Sequence, residues 1–184
     1  MNGSDGWATE TVVSDAQSLH ATDLPARRGV WLMRPTRPAF VLGSSQGSDD
    51  VDGGFCASHG IDVVRRRSGG GAVHVDPVGS VWIDVVIPRD DVLWVDDVAR
   101  AMHFVGHAWC EVLANTAMGA LSVNDGPHVG NDWSKTLCVA GRGAGEVFDA
   151  SGAKVVGISQ RRTRDFARFQ CIAYFACDVD LTSP

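Results

Sequence analysis

Short apolar runs separated by glycine and proline dominate the first half of the chain and predict β-strands. Residues 29–34 and 39–43 form two such runs, with two prolines between them, a pattern typical of a β-hairpin. A second hairpin is predicted where residues 73–76 and 80–88 flank a Pro-Val-Gly turn. Strands are therefore the main element of the predicted fold.

Helical patterns interrupt these strands at three places. A short helix is predicted from about Ala8 to His20, and a second from Ser48 to about His59, where Gly60 ends it. The longest is expected over residues 91–117, where apolar side chains recur close to i, i+3 and i+4 spacing. The residues that carry this period are Leu93, Val95, Val98, Met102, Val105, Trp109, Val112 and Leu113.

The C-terminal third returns to strands after a polar loop at residues 124–132. Strands are predicted at residues 136–139, 145–148, 154–158 and 168–176, with glycine-rich turns between them. Strands interrupted by a few helices favour an α+β fold, in which helices cover one face of a sheet.

Length and charge limit the possible classes of protein. The 184 residues suffice for one well-buried core, so we expect a single domain over residues 1–184 with a flexible tail at residues 1–6. The formal net charge of −6 argues against nucleic-acid binding, which usually needs a basic surface. Without a long apolar run or a signal peptide pattern, the expected location is the cytoplasm, away from membranes.

The stretch from Arg65 to Gly71 holds the first candidate chemistry. Three arginines and a serine follow the apolar run Ile61–Val64 and lead into three consecutive glycines. Glycines allow a backbone to approach a ligand closely and expose N–H groups, and arginines recognise phosphate or carboxylate. The alternative is a glycine-rich hairpin with solvated arginines.

Two motifs in order carry a resemblance to a known family. Arg66–Val73 followed by Asp76, and later Lys154–Arg162, resemble the signatures R-R-x-S-G-G-G-A-V-x-x-D and K-x-x-G-S-A-x-R of the lipoate–protein ligase and octanoyltransferase family. The resemblance extends over residues 30–181. It implies a class II aminoacyl-tRNA synthetase/biotin synthetase-like mixed sheet with helices packed on it, built as a catalytic-type domain that here lacks an accessory C-terminal domain.

The same resemblance implies an acyltransferase. Such an enzyme activates lipoate or octanoate with ATP and Mg²⁺ as the acyl-adenylate, and passes the acyl group to a lysine of a lipoyl domain. That domain belongs to a 2-oxoacid dehydrogenase or to the glycine cleavage carrier protein. Bringing a carboxylate to a phosphate joins two anions, so positive groups and amides must stabilise the charge. No permanently bound metal is expected.

Site residues follow from the motif positions. Lys154 is expected to contact the carboxyl and phosphate oxygens, the alternative for it being a solvated strand residue. Asp132 is a candidate Mg²⁺ ligand, as is Asp76. The residues expected to bind substrate or nucleotide are Arg66, Arg67, Ser68, Gly69, Gly70, Gly71, Ala72, Asp76, Gln46, Asn131, Asp132 and Gly157.

Cys138 leaves a second mechanism open. The segment around it resembles the cysteine loop of the octanoyltransferase and amidotransferase branches, in which a thiolate carries the acyl group as a thioester without ATP. A nearby ammonium would favour the thiolate. The alternative is a packed cysteine between Leu137 and Val139.

Departures from the family pattern leave a third interpretation. The usual D-x-G-N is replaced by residues 76–80, which lack the asparagine, and H-H-G-T is replaced by residues 169–172. These changes fit either an enzyme that needs a separate accessory polypeptide or a non-catalytic module that binds an acyl-adenylate.

Overall fold

The computed structural model describes residues 6–116, 119–130, 133–134 and 136–175. Seven strands form one sheet in the order β1-β2-β6-β10-β9-β8-β7, and three form another in the order β4-β3-β5. In chain order the strands are β1 (Ala8–Ser14), β2 (Gly29–Pro35), β3 (Ala39–Leu42), β4 (Asp62–Arg65), β5 (Val73–Val75), β6 (Ser80–Pro88), β7 (Leu121–Val123), β8 (Val147–Asp149), β9 (Lys154–Arg162) and β10 (Phe166–Tyr174).

Three α-helices accompany the sheets within these ranges. They are α1 (Ala16–Ala21), α2 (Gly53–Ser58) and α3 (Arg100–Leu113), and short 3₁₀ helices lie at Ser48–Asp50 and Cys138–Ala140. None of the helices in the described part of the chain has the length and apolar character required to cross a membrane.

The larger sheet is buried on both faces. Alternate side chains of β6, such as Val85 and Ile87, join the core that contains α3, while Trp82 and Val86 join the core that contains α1 and β3. The two sets separate because successive side chains of a strand point to opposite faces. Helices were predicted on one face, whereas α1 and the smaller sheet together cover the second.

A buried ion pair fixes α1 to the sheet. The Asp84 carboxylate accepts from Arg168 Nε at 2.6 Å and from Trp82 Nε1 at 2.8 Å. Arg168 also donates to the carbonyl oxygens of Leu19 and Thr22, at the end of α1. Burial raises the pKa of Asp84 to about 6, and Arg168 acts against that change. Carbonyl groups at a helix end need such partners, and Arg168 provides them in addition to the Thr22 N–H, which donates to the Leu19 carbonyl.

A β-bulge lies at the start of β9. Val147 of β8 pairs with Val156 and Phe148 pairs with Lys154, which leaves Val155 as an extra residue. Val155 and Val156 both enter the core beneath α3, so the strict alternation of side chains fails there. The bulge thereby turns Lys154 towards the opposite face of the sheet, the face that carries the smaller sheet.

The helix predicted from Ala8 to His20 is wrong over its first half. Ala8–Ser14 is a strand that pairs in parallel with Gly29–Pro35, and the helix begins only at Ala16. Asp15 caps it by accepting from the Ser18 N–H at 2.9 Å. The β-branched residues of this segment favour a strand once a partner strand is available.

Both predicted hairpins are also wrong, although their strands are present. β2 pairs with β1 and β6, whereas β3 pairs with β4 and β5, so a tight turn here joins two different sheets. β5 and β6, the strands of the second predicted hairpin, likewise belong to two different sheets. Turn residues specify that a chain reverses locally, but the pairing partner depends on distant strands.

Other helices and strands differ from the predicted bounds because of tertiary contacts. α3 begins at Arg100, because Asp91 is bound to Arg28 and the Asp97 side chain accepts from the Arg100 N–H. Residues 136–139 form a turn and part of a 3₁₀ helix instead of a strand. The prediction omitted β7. The other predicted strands are confirmed, and the helix predicted from Ser48 to His59 is two shorter helices.

Replacing Gly106 of α3 by alanine is expected to lower the free energy of unfolding by about 1 to 3 kcal/mol, the usual cost of overpacking. A Cβ there would lie 2.1 Å from the carbonyl oxygen of Gly145, a backbone atom that cannot swing aside. Urea unfolding measures the change. Gly53→Ala is the matched control, since its Cβ would meet open space. An equal response of the two variants would contradict the packing of α3.

Candidate active site

Gly43, Gly70 and Gly71 lie where main chains from distant segments touch. A Cβ on Gly43 would lie 1.9 Å from the carbonyl oxygen of Gly70, and one on Gly71 would lie 2.7 Å from Leu137. Gly70 itself has φ of +96°, in the region that favours glycine. The loop therefore needs glycine for close approach as well as for its turn.

Arg66 shapes this loop from inside. Its guanidinium donates to the carbonyl oxygens of Val41 at 2.9 Å and of Gly69 and Gly71 at 2.8 Å each. The residue is buried, and burial lowers the pKa of Arg66. Arg65 donates to the carbonyl oxygen of Gln46. Both arginines therefore use hydrogen-bond donors to hold the fold together.

Gln46 ties the loop to the segment that contains Cys138. Its side-chain oxygen accepts from the Gly43 N–H at 2.9 Å, and its Nε2 donates to the Thr136 carbonyl at 3.1 Å. The backbone of Ala72 exchanges two further hydrogen bonds with this segment, from its N–H to Thr136 and from the Cys138 N–H to its carbonyl. Cys138 is consequently held against the glycine loop.

Lys154 lies buried beside them in an ion pair that the sequence did not reveal. Its Nζ lies 2.7 Å from Glu146 Oε2 and donates to the Cys138 carbonyl at 2.6 Å, and the two charged side chains are only 2% and 4% exposed. Glu146 also accepts from the Gly143 N–H at 2.5 Å. An ammonium has three donors, and the described part of the chain occupies two of them, which leaves one for a ligand. The only indication of Glu146 in the sequence was an acidic residue near the start of a predicted apolar strand.

A cavity of about 190 Å³ opens at this ammonium. Cys138, Glu146 and Lys154 lie at one end, and His20, Ser159 and Gln170 line the opposite end. The glycine loop, with Arg66, contributes to the wall. The apolar residues between the ends are Val41, Val73, Val75, Trp82, Ile158 and Ile172. An apolar chain with one polar head fits such a lining.

Cys138 shares the cavity with Lys154 but is not activated by its surroundings. Burial raises the pKa of the Cys138 thiol, and although the nearby Lys154 acts in the opposite direction, burial is the larger effect. The thiol is therefore the main form at neutral pH.

The predicted substrate residues divide between two neighbouring cavities. Gly69, Gly70, Gly71 and Gly157 line the large one with Arg66, Cys138 and Lys154. Arg67 and Ser68 line a smaller cavity of about 80 Å³ together with Arg161, and Arg66 lines both cavities.

Three other predicted residues line neither cavity. Gln46 and Ala72 hold the loops together, as described above. Asp76 accepts from the N–H groups of Val78 and Gly79 and so caps the turn before β6. Asn131 and Asp132 lie outside the described residues, so the role of Asp132 as a metal ligand stays a prediction. Within the described ranges, no group of three or more acidic, histidine or cysteine side chains could hold a metal ion.

The smaller cavity has the character of an anion site. The described residues that line it include arginines and no carboxylate. Ser68 Oγ and Arg66 Nε are buried there without a hydrogen-bond partner among the described residues. Buried polar atoms without partners are uncommon in folded proteins, and here they suit a bound phosphate or carboxylate.

Comparison with protein families and curated proteins gives a consistent result. Residues 8–183 match the family model described as the lipoyl protein ligase A/B catalytic domain. A lipoate–protein ligase 1 of Staphylococcus aureus is 42% identical over 55 residues. That match covers 29% of this chain and only 17% of the staphylococcal protein.

Solved structures share the fold. A putative lipoate protein ligase of T. acidophilum with bound lipoic acid has a TM-score of 0.71 at 16% identity, over 95% of this chain and 70% of that one. A lipoate-protein ligase A bound with ATP has a TM-score of 0.70 at 16% identity, over 95% of this chain and 69% of that one. The predicted α+β fold with its mixed sheet is confirmed.

Replacing Lys154 by methionine is expected to destabilise the protein by about 3 to 5 kcal/mol, because the Glu146 carboxylate would remain buried without its cation. Adding Glu146→Gln to that variant should restore at least half of the loss, since both charges are then absent. Urea unfolding of the single and double variants measures the difference.

Arg27→Ala serves as the control for this comparison. Arg27 pairs with Glu10 in an ion pair whose side chains are 55% and 50% exposed. Its loss should change the free energy of unfolding by less than about 1 kcal/mol. If Lys154→Met cost no more than this control, the Lys154–Glu146 pair would not be buried.

Proposed function

Because this chain belongs to the lipoyl protein ligase A/B catalytic domain family, we propose that it activates lipoate or octanoate with ATP and transfers the acyl group to a lysine of a lipoyl domain. One observation supports this most directly. With respect to the residues that the structure describes, the buried ammonium of Lys154 has one N–H left, at the polar end of a cavity with apolar walls.

The acid would enter this cavity with its methylene chain along the apolar wall. Its carboxylate would accept from Lys154 Nζ, and the buried site would strengthen that charged hydrogen bond. Glu146 and the Cys138 carbonyl hold the ammonium in place, so no reorganisation is needed when substrate arrives.

Adenylation joins one carboxylate oxygen to the α-phosphorus of ATP and breaks its bond to the β-phosphate, which leaves as pyrophosphate. The Lys154 ammonium and the glycine loop, which line the same cavity as the carboxylate, would supply positive and donor groups for the α-phosphate. Mg²⁺ enters with ATP as part of the substrate. Charge stabilisation by fixed donors is the main catalytic effect available to these residues.

Transfer then completes the reaction. The lysine amine of the carrier attacks the acyl carbonyl, the bond to AMP breaks, and an amide forms with loss of one proton. Lys154 would stabilise the negative charge that develops on the carbonyl oxygen.

A second candidate route uses Cys138, which lines the same cavity beside the ammonium. In it the Cys138 thiolate would take an acyl group from a thioester donor, whose own thiol leaves, and the carrier lysine would then form the amide and release the Cys138 thiol. The raised pKa of the Cys138 thiol disfavours this route relative to adenylation.

We expect octanoate or lipoate to support exchange of labelled pyrophosphate into ATP, and a purified lipoyl domain to gain the mass of the acyl group. Exchange should fall by about 10² to 10³-fold in Lys154→Met/Glu146→Gln, because the ammonium that stabilises charge is lost. The double variant removes both charges of the buried pair, so no unpaired charge destabilises the fold. A loss of exchange then reports on catalysis and not on unfolding. Arg27→Ala is the active control.

The outcomes distinguish the alternatives. Exchange without transfer to the lipoyl domain would indicate that an accessory polypeptide is missing. Tight binding of an acyl-adenylate with neither exchange nor transfer would replace this proposal by a non-catalytic binding module.

With an octanoyl thioester as donor and no ATP, we expect no covalent acyl-enzyme, because the Cys138 thiol is largely protonated at neutral pH. Intact-protein mass spectrometry before and after hydroxylamine measures this directly. A hydroxylamine-sensitive adduct that disappears in Cys138→Ser would establish the thioester route and refute adenylation as the main one.

A further inference from the structure

The smaller cavity contains a concentration of positive charge that no neighbouring carboxylate balances. Five arginines line it, namely Arg65, Arg66, Arg67, Arg161 and Arg168. The charge of Arg168 is balanced by its pair with Asp84. Among the described residues, none of the other four guanidinium groups forms an ion pair with a carboxylate. Four uncompensated positive charges around one cavity attract an anion.

Arg66 is the member of this group that most needs a counter-ion. The residue is only 6% exposed, and its terminal nitrogens donate to the carbonyl oxygens of Val41, Gly69 and Gly71. Carbonyl oxygens satisfy the hydrogen bonds of a guanidinium but carry no net charge, and a buried charge is costly unless an opposite charge lies near it. The Arg66 Nε has no partner in the described part of the chain, so a donor also remains for an anion.

The other donors reach this cavity from separate elements. Arg67 and Ser68 belong to the loop after β4, and Arg161 belongs to β9. The Ser68 Oγ is buried and, within the described ranges, has no hydrogen-bond partner. A carboxylate presents its oxygens in one plane, whereas phosphate presents them tetrahedrally and carries more charge. Donors that converge from several directions therefore favour phosphate.

The size of the cavity indicates a small free ion. Its volume of about 80 Å³ is well below that of a pocket for an organic ligand. The larger cavity, where the α-phosphate of ATP is placed, has Lys154 and Glu146 in its lining, and the smaller cavity has neither. The two cavities thus offer different sets of cations.

We propose that the smaller cavity binds inorganic phosphate and that this anion is the counter-ion of Arg66. Because Arg66 holds the carbonyl oxygens of Val41, Gly69 and Gly71, phosphate bound beside it stabilises the glycine loop. Phosphate binding here requires neither an acyl group nor ATP, so it goes beyond the proposed acyl transfer and does not depend on it.

The smaller cavity borders the large one at the end remote from Lys154. This polar end is formed by His20, Ser159 and Gln170, and of these His20 and Gln170 also line the smaller cavity, as does Arg66. The His20 imidazole is neutral, because burial, and then neighbouring arginines, lower the pKa of His20 to about 3. The positive charge of the phosphate site therefore comes from its arginines.

Titration calorimetry of the whole chain with inorganic phosphate, without nucleotide or Mg²⁺, measures the binding. Arg161→Gln should weaken phosphate binding by about ten- to hundredfold, the usual effect of losing one hydrogen bond to a charged group. Arg164→Gln is the matched control, because Arg164 is also exposed and lies three residues further on, yet lines neither cavity. It should bind phosphate as the native protein does.

Urea unfolding tests the stabilising effect. Phosphate should raise the free energy of unfolding of the native protein more than that of Arg161→Gln, because a ligand stabilises only the state that binds it. The difference between the two proteins is the relevant quantity, since phosphate also stabilises folded proteins generally through its exclusion from their surfaces. An equal response of the two proteins would refute the counter-ion role.

Gln17→Glu provides a second test that removes no arginine. Gln17 is an exposed residue of α1 that lines the smaller cavity, so the substitution places a carboxylate beside the guanidinium groups. This variant should bind phosphate at least about tenfold more weakly, because like charges repel and the cations have gained a partner. Phosphate binding that is unchanged in Gln17→Glu would contradict the assigned site.

The double variant Lys154→Met/Glu146→Gln separates this site from the proposed catalytic one. It should bind phosphate as the native protein does, since neither residue lines the smaller cavity. Loss of phosphate binding in the double variant would place the anion at Lys154 and overturn the inference. Exchange of pyrophosphate into ATP by a native protein that binds no phosphate would refute the phosphate site and leave the proposed function in place.

Discussion

Main-chain contact at the glycine loop is the constraint on which the site depends. Gly43, Gly70 and Gly71 bring three segments so close that no side chain fits between them. This contact fixes the wall of the large cavity and, through Ala72, places Cys138 beside it. Because Arg66 binds carbonyl oxygens on two of these segments, its charge serves the shape of the loop before it can serve any ligand.

Two buried ion pairs then define the ends of the cavity. Lys154 and Glu146 lie at the end where acyl chemistry is proposed, and Asp84 and Arg168 support the polar end through α1. Burying charge is costly unless each ion is paired and hydrogen-bonded, and both pairs have such additional bonds. Pairs of this kind contribute more to geometry than to net stability, so they suit a site that must hold its donors in fixed positions.

Much of the fold followed from local patterns, whereas pairing between strands did not. The apolar runs of β2, β3, β5 and β6 were identified with nearly correct ends. Their assignment to two sheets was missed, because a turn motif is the same whether the chain returns to its neighbour or crosses to another sheet. The strand Ala8–Ser14 was predicted as helix for a related reason, since its partner β2 begins 15 residues after β1 ends (29 − 14).

The sequence by itself determined which residues could carry charge chemistry: an ordered pair of motifs named the glycine loop and Lys154 in advance. Only the tertiary structure decided how they act. A bulge at Val155, which the apolar pattern does not indicate, turns Lys154 to the cavity side, and Glu146, just before the neighbouring strand β8, provides its counter-ion. The polar end formed by His20, Ser159 and Gln170 also depends on three separate elements. These contacts depend on strand pairing and on packing between elements, and local sequence patterns specify neither.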